Sequence, residues 1–280
     1  MPPLFRNLAG SRSLAWHLRS YAAPAREVDW HQPGIWQPLP LTGVGHGLCP
    51  HVRVTGPLEQ RDRPLLIWHH GAGEFPVDAS LANALRCGGL DLPVAVIRAT
   101  AHHRVRTYVQ QLSSCDGAAA LLGSSVAAIE AVRRQWPGPV LVAGLSLGGM
   151  VVAAHARRYG RHARATTRWA CFIAGPDSYS ALADSVFARL TDRRTRRDPG
   201  FAAKMSLASC PLDPAVARRV HPLLGQWDQV HRLRAQTAAW RAEGVRPRVA
   251  PRAHIGLAMS GPIIAAHLRA VIDALVTDTA

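Results

Sequence analysis

Apolar runs alternate with segments of helical spacing along most of the chain. The runs that we interpret as strands lie at 36–41, 51–55, 64–69, 92–98, 139–143, 169–174, 220–225 and 245–250. The segments with helical spacing lie at 118–135, 147–159, 229–243 and 262–276. Strands that alternate with helices in this way are typical of a mainly parallel sheet covered by helices. The pattern therefore predicts an α/β fold.

Two segments depart from this alternation. Residues 1–33 carry no acidic residue before Glu27, and arginine and serine interrupt their apolar residues, so no continuous signal-peptide core is present. We expect an N-terminal arm that packs on the domain, with an organelle transit peptide as the alternative. Residues 177–210 are polar, arginine-rich and helix-like, and their position fits a lid or cap insertion. The core is then expected at 34–176 and 211–280.

The composition fits one globular domain with a sizeable core. Of the 280 residues, 48% are hydrophobic and 18% are charged. No apolar stretch is long enough to predict a membrane span. The five cysteines are dispersed and lack the spacing of zinc ligands, which favours reduced thiols in a cytoplasmic protein.

The formal net charge of +15 first suggests an acidic partner such as nucleic acid. However, Lys204 is the only lysine, and such a replacement of lysine by arginine is typical of a GC-rich genome. The arginines are scattered, and their densest run, at 189–197, contains no aromatic residue that could stack on a base. We therefore expect no nucleic-acid partner.

The central chemical signal is a G-x-S-x-G motif formed by Gly144, Leu145, Ser146, Leu147 and Gly148. A β-branched apolar run precedes the motif and a helical pattern follows it. In a sharp strand-to-helix turn, side chains two residues before and after the serine would collide with neighbouring backbone, so glycine is required there. The context predicts Ser146 as a nucleophile, with an ordinary small-residue turn as the alternative.

A second loop fits an oxyanion hole. The strand at 64–69 runs directly into the sequence HHGAG, in which the glycines are Gly71 and Gly73. Glycines allow backbone N–H groups to approach a substrate carbonyl closely. We expect the donors to be the N–H of Leu147 and that of Ala72 or Gly73. The two histidines of this sequence are expected to shape the loop.

The base is expected in a loop. Six histidines follow Ser146, and His254 is the one that lies directly after the last predicted strand and before the final helix. A base needs this position to lie over the serine, although a surface histidine is the alternative. The others fall on predicted helices, in a strand or in a basic turn, namely His155, His162, His221, His231 and His267.

The acid that orients the base is best assigned to Asp228, which follows the strand at 220–225 and precedes a helix. Between Asp228 and His254 there is room for one helix, one strand and a loop. Asp177, after the preceding strand, is the rival, and Asp213 ranks third because it lies outside a strand end. The chain order is then serine, aspartate, histidine.

Four segments together resemble the α/β-hydrolase superfamily. They are HHGAGE at 69–74, GLSLGGM at 144–150, the segment around Asp228, and AHIG at 253–256. The resemblance implies an α/β-hydrolase fold, with a mostly parallel eight-stranded sheet flanked by helices and a small helical lid insertion. It also implies an active site at the carboxyl ends of the strands, with Ser146, Asp228 and His254 as the triad.

These features predict a serine hydrolase that cleaves a carboxylic ester through an acyl-enzyme intermediate. The expected partner is a small-molecule ester or acyl substrate, and no metal or organic cofactor is expected. An acyltransferase or peptidase with the same triad, or a non-catalytic binding member of the fold, are the alternatives. The sequence leaves the oligomeric state and the substrate open.

Overall fold

The computed structural model describes residues 21–24, 27–43, 49–71, 79–99, 115–177, 183, 188–198, 200–202 and 211–277. Ala72 and Gly73 lie outside these ranges. So does most of the expected N-terminal arm at 1–33, and much of the expected lid at 177–210.

The strands are β1 (Tyr21–Pro24), β2 (Trp36–Pro38), β3 (Leu41–Gly43), β4 (His51–Thr55), β5 (Leu65–His69), β6 (Val94–Arg98), β7 (Val140–Leu145), β8 (Thr167–Phe172), β9 (Val220–Gly225) and β10 (Arg248–Ala250). The helices are α1 (Ala79–Gly88), α2 (Cys115–Gln135), α3 (Leu147–Tyr159), α4 (Ala188–Arg197), α5 (Pro214–Ala217), α6 (Leu233–Ala242), α7 (His254–Ala258) and α8 (Gly261–Thr277).

Eight strands form one sheet in the order β2-β4-β6-β5-β7-β8-β9-β10. Neighbours from β6 to β10 run parallel, whereas β4 is antiparallel to both of its neighbours. Strands β1 and β3 form a separate antiparallel pair. The mostly parallel eight-stranded sheet expected from the sequence is therefore confirmed.

Helices cover both faces of this sheet. Side chains alternate between the two faces of a strand, and in β5 Leu65 and Ile67 join one buried cluster while Leu66 and Trp68 join the other. The first cluster includes side chains of α2, α3 and α6, and the second includes side chains of α1, α7 and α8. Because both faces are buried, β5 is apolar at four successive positions.

Prolines shorten two of the predicted strands. The segment at 36–41 splits into β2, which pairs with β4, and β3, which pairs with β1. The segment at 245–250 forms a strand only from Arg248, directly after Pro247. Because proline has no backbone N–H to donate, the hydrogen-bonded pairing of two strands tends to begin or end beside it.

Several short elements carried no recognisable pattern in the sequence. Helices α5 and α7 have only four and five residues, which is too short for a helical period to show. Within the described ranges, no helix has the length and apolar character needed to cross a membrane.

Candidate active site

Ser146 lies in a sharp turn between β7 and α3. Its backbone has φ 55° and ψ −116°. This positive φ is strained for a residue with a side chain and costs on the order of 1–3 kcal/mol. The Ser146 N–H donates to the Phe172 carbonyl at 2.8 Å, so β8 holds the turn in place. Ser146 therefore occupies the strand–turn–helix position expected from the sequence.

The glycines of the motif lie where a side chain would not fit. A Cβ on Gly144 would be 2.4 Å from the Gly148 carbonyl oxygen. A Cβ on Gly148 would be 2.2 Å from the carbonyl oxygen of His69. Both distances are far below van der Waals contact, so the collision predicted from the motif is confirmed.

Two further glycines help to form the turn. A Cβ on Gly149, which the sequence did not single out, would be 2.6 Å from the Cβ of Ala174. A Cβ on Gly71 would be 3.4 Å from the Cβ of Ser146. The chain after β5 therefore passes directly beside Ser146.

The structure brings Ser146, His254 and Asp228 together. His254 Nε2 lies 3.1 Å from Ser146 Oγ, and His254 Nδ1 lies 2.9 Å from Asp228 Oδ2. A carboxylate only accepts, so Nδ1–H donates to Asp228, and the Nε2 lone pair of the neutral ring accepts from the Ser146 hydroxyl. Both the imidazole and the carboxylate are largely buried.

All three residues follow the carboxyl ends of parallel strands. Ser146 follows β7, Asp228 follows β9 and His254 follows β10. The prediction that His254 lies in a loop is wrong, because His254 is the first residue of α7. This single turn buries Leu257 in the cluster that also contains α8, and the burial stabilises a helix too short to be predicted.

Asp228 is held in a tight turn of its own. Its Oδ1 accepts from the backbone N–H of Val230 at 2.8 Å and of His231 at 2.9 Å. The side chain competes here with helical hydrogen bonding, so the helix predicted at 229–243 begins only at Leu233. Burial alone would raise the pKa of the Asp228 carboxyl, but the hydrogen bonds from His254 and His231 outweigh it and lower that pKa.

Comparison with known proteins identifies the fold. No protein-family model and no curated protein sequence match the chain. Among solved structures, acetyl xylan esterase 1 from Thermoanaerobacterium sp. JW/SL YS485 matches with a TM-score of 0.55 and 16% identity, over 91% of this chain and 93% of that one. Proline iminopeptidase from Mycobacterium smegmatis matches with a TM-score of 0.52 and 15% identity, over 88% of this chain and 100% of that one.

A cold-adapted esterase from an Arctic intertidal metagenomic library also matches, with a TM-score of 0.53 and 16% identity, over 86% of this chain and 91% of that one. These structures share one architecture. The chain has the α/β-hydrolase fold. At these identities the likeness extends to the fold alone, so the chemistry of the site must be argued from its own residues.

The two alternative acids of this α/β-hydrolase-fold chain, Asp213 and Asp177, lie elsewhere in the structure. Asp213 caps α5, where its Oδ1 accepts from the Ala215 N–H at 2.7 Å, and its Oδ2 lies 2.9 Å from Arg161 Nε. Asp177 lies after the end of β8. The carboxylate hydrogen-bonded to the His254 ring is that of Asp228.

His231 is a neighbour of the site that sequence reasoning missed. It was expected early in a helix, but it lies before α6, is buried, and its ring centroid is 5.4 Å from that of His254. Its spacing of three residues from Asp228 was the available signal, because an aspartate commonly accepts from N–H groups two and three residues later.

The expected oxyanion donors are described only in part. Leu147 is the first residue of α3, and N–H groups of a first helical turn have no partner within the helix. Its N–H therefore has no acceptor within α3, and it directly follows Ser146. The expected donors Ala72 and Gly73 lie outside the described residues, so their role stays a prediction.

His69 and His70, which precede the loop containing Ala72 and Gly73, are buried and hydrogen-bond to backbone carbonyls. His69 Nδ1 lies 2.9 Å from the His70 carbonyl oxygen, and His70 Nδ1 lies 2.6 Å from that of Gly71. The rings are stacked, with centroids 5.0 Å apart. Burial lowers the pKa of His69 to about 4, so its ring is neutral at pH 7 and donates through Nδ1–H.

A buried polar network involves α3, the helix that follows Ser146. Trp169 Nε1 donates to His155 Nδ1 at 3.0 Å, so the neutral His155 ring carries its hydrogen on Nε2 and donates to Glu130 Oε2 at 3.2 Å. Arg133 binds the same carboxylate through two hydrogen bonds of 2.7 and 2.8 Å. This network joins α2, α3 and β8, so His155 links the helix that follows Ser146 to its neighbours.

The described residues contain no group of three histidine, cysteine, aspartate or glutamate side chains that could hold a metal ion. Histidine rings in this part of the chain contact carboxylates, carbonyl oxygens, the Ser146 hydroxyl or the Trp169 indole.

Proposed function

We propose that this chain is a serine hydrolase that cleaves carboxylic esters through an acyl-enzyme intermediate. One observation carries the proposal, namely that His254 is hydrogen-bonded at once to Ser146 Oγ, at 3.1 Å, and to Asp228, at 2.9 Å. A nucleophile beside a base that a third group orients is the arrangement needed to activate a serine hydroxyl. The strained turn at Ser146 adds support, because such strain is concentrated at functional sites.

In the first stage, the Ser146 hydroxyl attacks the ester carbonyl and His254 Nε2 takes its proton. The Asp228 carboxylate stays ionised, fixes the tautomer with hydrogen on Nδ1, and stabilises the imidazolium that forms. The lowered pKa of Asp228 fits this role, because the group must not accept the proton itself.

The negative charge on the tetrahedral intermediate needs donors that are already in position. The N–H of Leu147, at the start of α3, is one, and the N–H of Ala72 or Gly73 is the proposed second. A single donor of this kind is worth about 3 kcal/mol of barrier reduction. His254 then protonates the departing alcohol, which leaves the acyl group on Ser146.

In the second stage, His254 takes a proton from a water molecule that attacks the acyl-enzyme. The new tetrahedral species collapses, the carboxylic acid departs, and His254 returns the proton to Ser146 Oγ. Every step uses only groups of this chain, the ester and water.

We also propose that residues 177–210 are an insertion into the core. A buried ion pair between Arg157 and Glu243 supports this, because it binds both ends of the segment. Arg157 donates to the carbonyl of Pro176, and Glu243 Oε2 accepts from the Leu212 N–H at 2.8 Å. The residues just before and just after the segment are therefore both hydrogen-bonded to this ion pair.

A fluorophosphonate probe tests the nucleophile, because it reacts covalently with activated serines. We expect labelling of the wild type and of Ser125→Ala, and none of Ser146→Ala. Ser125 is a matched control, since its hydroxyl is buried and makes no hydrogen bond. Labelling that survives in Ser146→Ala would reject the proposal, and absence of labelling in all three proteins would favour a non-catalytic binding role.

Hydrolysis of p-nitrophenyl esters by the same three proteins tests the reaction class. We expect Ser146→Ala to lose at least about a thousandfold in kcat. If the probe labels Ser146 but esters are not cleaved, assays with peptides or with alcohol acceptors would identify a peptidase or an acyltransferase instead.

A further inference from the structure

Large apolar side chains are exposed beside the proposed triad. Trp227, Ile255 and Met259 are 60%, 65% and 49% exposed. Scattered exposed apolar residues are ordinary, but several together at one place on a surface commonly mark a binding site. Trp227 lies in the turn that carries Asp228, Ile255 lies in α7 beside His254, and Met259 directly follows α7.

Their positions follow from the chain and from hydrogen bonds. Trp227 directly precedes Asp228, and Ile255 directly follows His254. The Trp227 N–H donates to the Arg252 carbonyl at 3.1 Å, which joins the turn at Asp228 to the segment that leads into α7. The Met259 N–H donates to the Ile255 carbonyl at 2.9 Å, so these two side chains, four residues apart, lie on one face of the turn.

The sheet sets the distance from the nucleophile to these residues. Ser146 follows β7 and Trp227 follows β9, and β8 alone lies between those strands. Two strand spacings amount to about 10 Å. An extended chain gains roughly 1.2 Å per bond, so a group must extend about eight bonds from the reacting carbonyl to reach Trp227. An acetyl group is too short to do so.

The charged residues of the described stretch from 220 to 260 favour a substrate without an ammonium group. In the described stretch from 220 to 260 the acidic residues are Asp228, which is bonded to His254, and Glu243, which is paired with Arg157. Arg232 and Arg252 are exposed in the same stretch. Within this stretch a neutral or anionic ligand with an apolar chain fits better than one with a free amino group, because both carboxylates of the stretch are already paired.

We propose that Trp227, Ile255 and Met259 form an apolar rim that binds the acyl chain of an ester with about eight or more carbons. This inference rests on the proposed function, because it places the acyl chain of an ester bound at Ser146. The rim lowers the free energy of the bound state for long chains only, since short chains do not reach it.

The test compares kcat/KM for p-nitrophenyl octanoate with that for p-nitrophenyl acetate. The variants are Trp227→Ser and Ile255→Ser, and Val276→Ser is the control. Val276 is 50% exposed, and it lies near the far end of α8, about 20 Å along that helix from its start. We expect the octanoate-to-acetate ratio to fall about tenfold in both rim variants and to stay unchanged in the control.

An unchanged ratio in both rim variants, with hydrolysis still lost in Ser146→Ala, would overturn the rim while leaving the proposed function intact. A ratio that stays unchanged while light scattering shows a loss of dimers would identify the rim as a contact between copies and would also overturn it. If Ser146→Ala hydrolyses both esters as fast as the wild type, the proposed function fails, and the rim fails with it.

Discussion

Gly148 and His69 are in such close contact that a Cβ on Gly148 would lie 2.2 Å from the His69 carbonyl oxygen and 2.5 Å from that of His70. Through this contact the end of β5 packs directly against the first turn of α3. It therefore sets the distance between the proposed nucleophile and the loop expected to supply an oxyanion donor.

Replacing Gly148 with alanine is expected to lower the free energy of unfolding by about 2–3 kcal/mol, because backbone atoms must move to admit the methyl group. The kcat for ester hydrolysis should fall as well, since Ser146 moves with the turn. Urea unfolding and steady-state kinetics check both effects. Gly256→Ala is the control: its Cβ would be 3.8 Å from the nearest atom, so no loss of stability is expected. Equal stabilities for the two variants would contradict the prediction.

Replacing Asp228 with asparagine is expected to reduce kcat by about a thousandfold to ten-thousandfold. An amide at this position can donate to His254 Nδ1 and so favours the wrong tautomer, with hydrogen on Nε2 facing Ser146. Steady-state kinetics on a p-nitrophenyl ester measure the effect. Asp213→Asn removes a carboxylate of the same kind that caps α5, and it should keep kcat within about twofold. A similar loss in both variants would indicate general destabilisation.

The stability of the protein should fall between pH 7 and pH 5, in part because of His69. The folded-state pKa of His69 is about 4, below the ordinary value of 6.5, because the ring is buried. Between these two values the unfolded chain binds a proton that the folded chain does not, so the free energy of unfolding decreases as the pH falls. The contribution of His69 over this interval is about 2 kcal/mol.

The variant His69→Asn tests this linkage, because its amide can still donate to the His70 carbonyl but cannot be protonated. Urea unfolding at pH 7 and pH 5 should show a smaller loss of stability on acidification in the variant. His155 and His267, whose pKa values burial also lowers, keep part of the pH dependence in both proteins. An identical loss in the two proteins would show that His69 does not titrate differently on unfolding.

Replacing Glu130 with glutamine is expected to lower the free energy of unfolding by about 3–5 kcal/mol. The guanidinium of Arg133 is buried, and this change leaves it without a counter-charge. Burial alone would raise the pKa of Glu130, but the hydrogen bonds from Arg133 and His155 lower it well below its usual range, so the charge is present in the folded protein at neutral pH.

Asp91→Asn is the matched control for that change, because the ion pair of Asp91 with Arg63, at 3.3 Å, is exposed. Its loss should cost less than about 1 kcal/mol. Thermal or urea unfolding of the two variants separates the cases. A comparable small effect in both would mean that the Glu130 network contributes little to holding α2 against α3.

The proposed nucleophile could be located from the sequence because its signal is local. The glycines at 144 and 148, the apolar run before Ser146 and the helical pattern after it all concern one turn of the backbone. The collisions that demand those glycines involve atoms of that turn and the adjacent strand. Asp228 and His254 were placed less directly, by their position after predicted strands, since parallel strands bring their carboxyl ends to one edge of a sheet.

The residues that pack around the proposed triad could not be predicted from local sequence patterns. His231 lies beside His254, and His155 beside Glu130, because of how separate elements pack. Helix α7 forms because Leu257 can be buried against the core. A helix of five residues is too short to show a hydrophobic repeat in the sequence. The pairing of β2 with β4 and of β3 with β1 likewise depends on which strand packs beside each.

The sequence by itself determined the alternation of the main strands and helices, the turn at Ser146 and the choice of candidate acid and base, because these depend on local backbone conformation and on side-chain period. Only the tertiary structure decided that the ring of His254 lies within hydrogen-bonding distance of both Ser146 and Asp228, and that Trp227 and Ile255 are exposed beside them. Distances between residues far apart in the chain follow from strand order and helix packing, which no local pattern specifies.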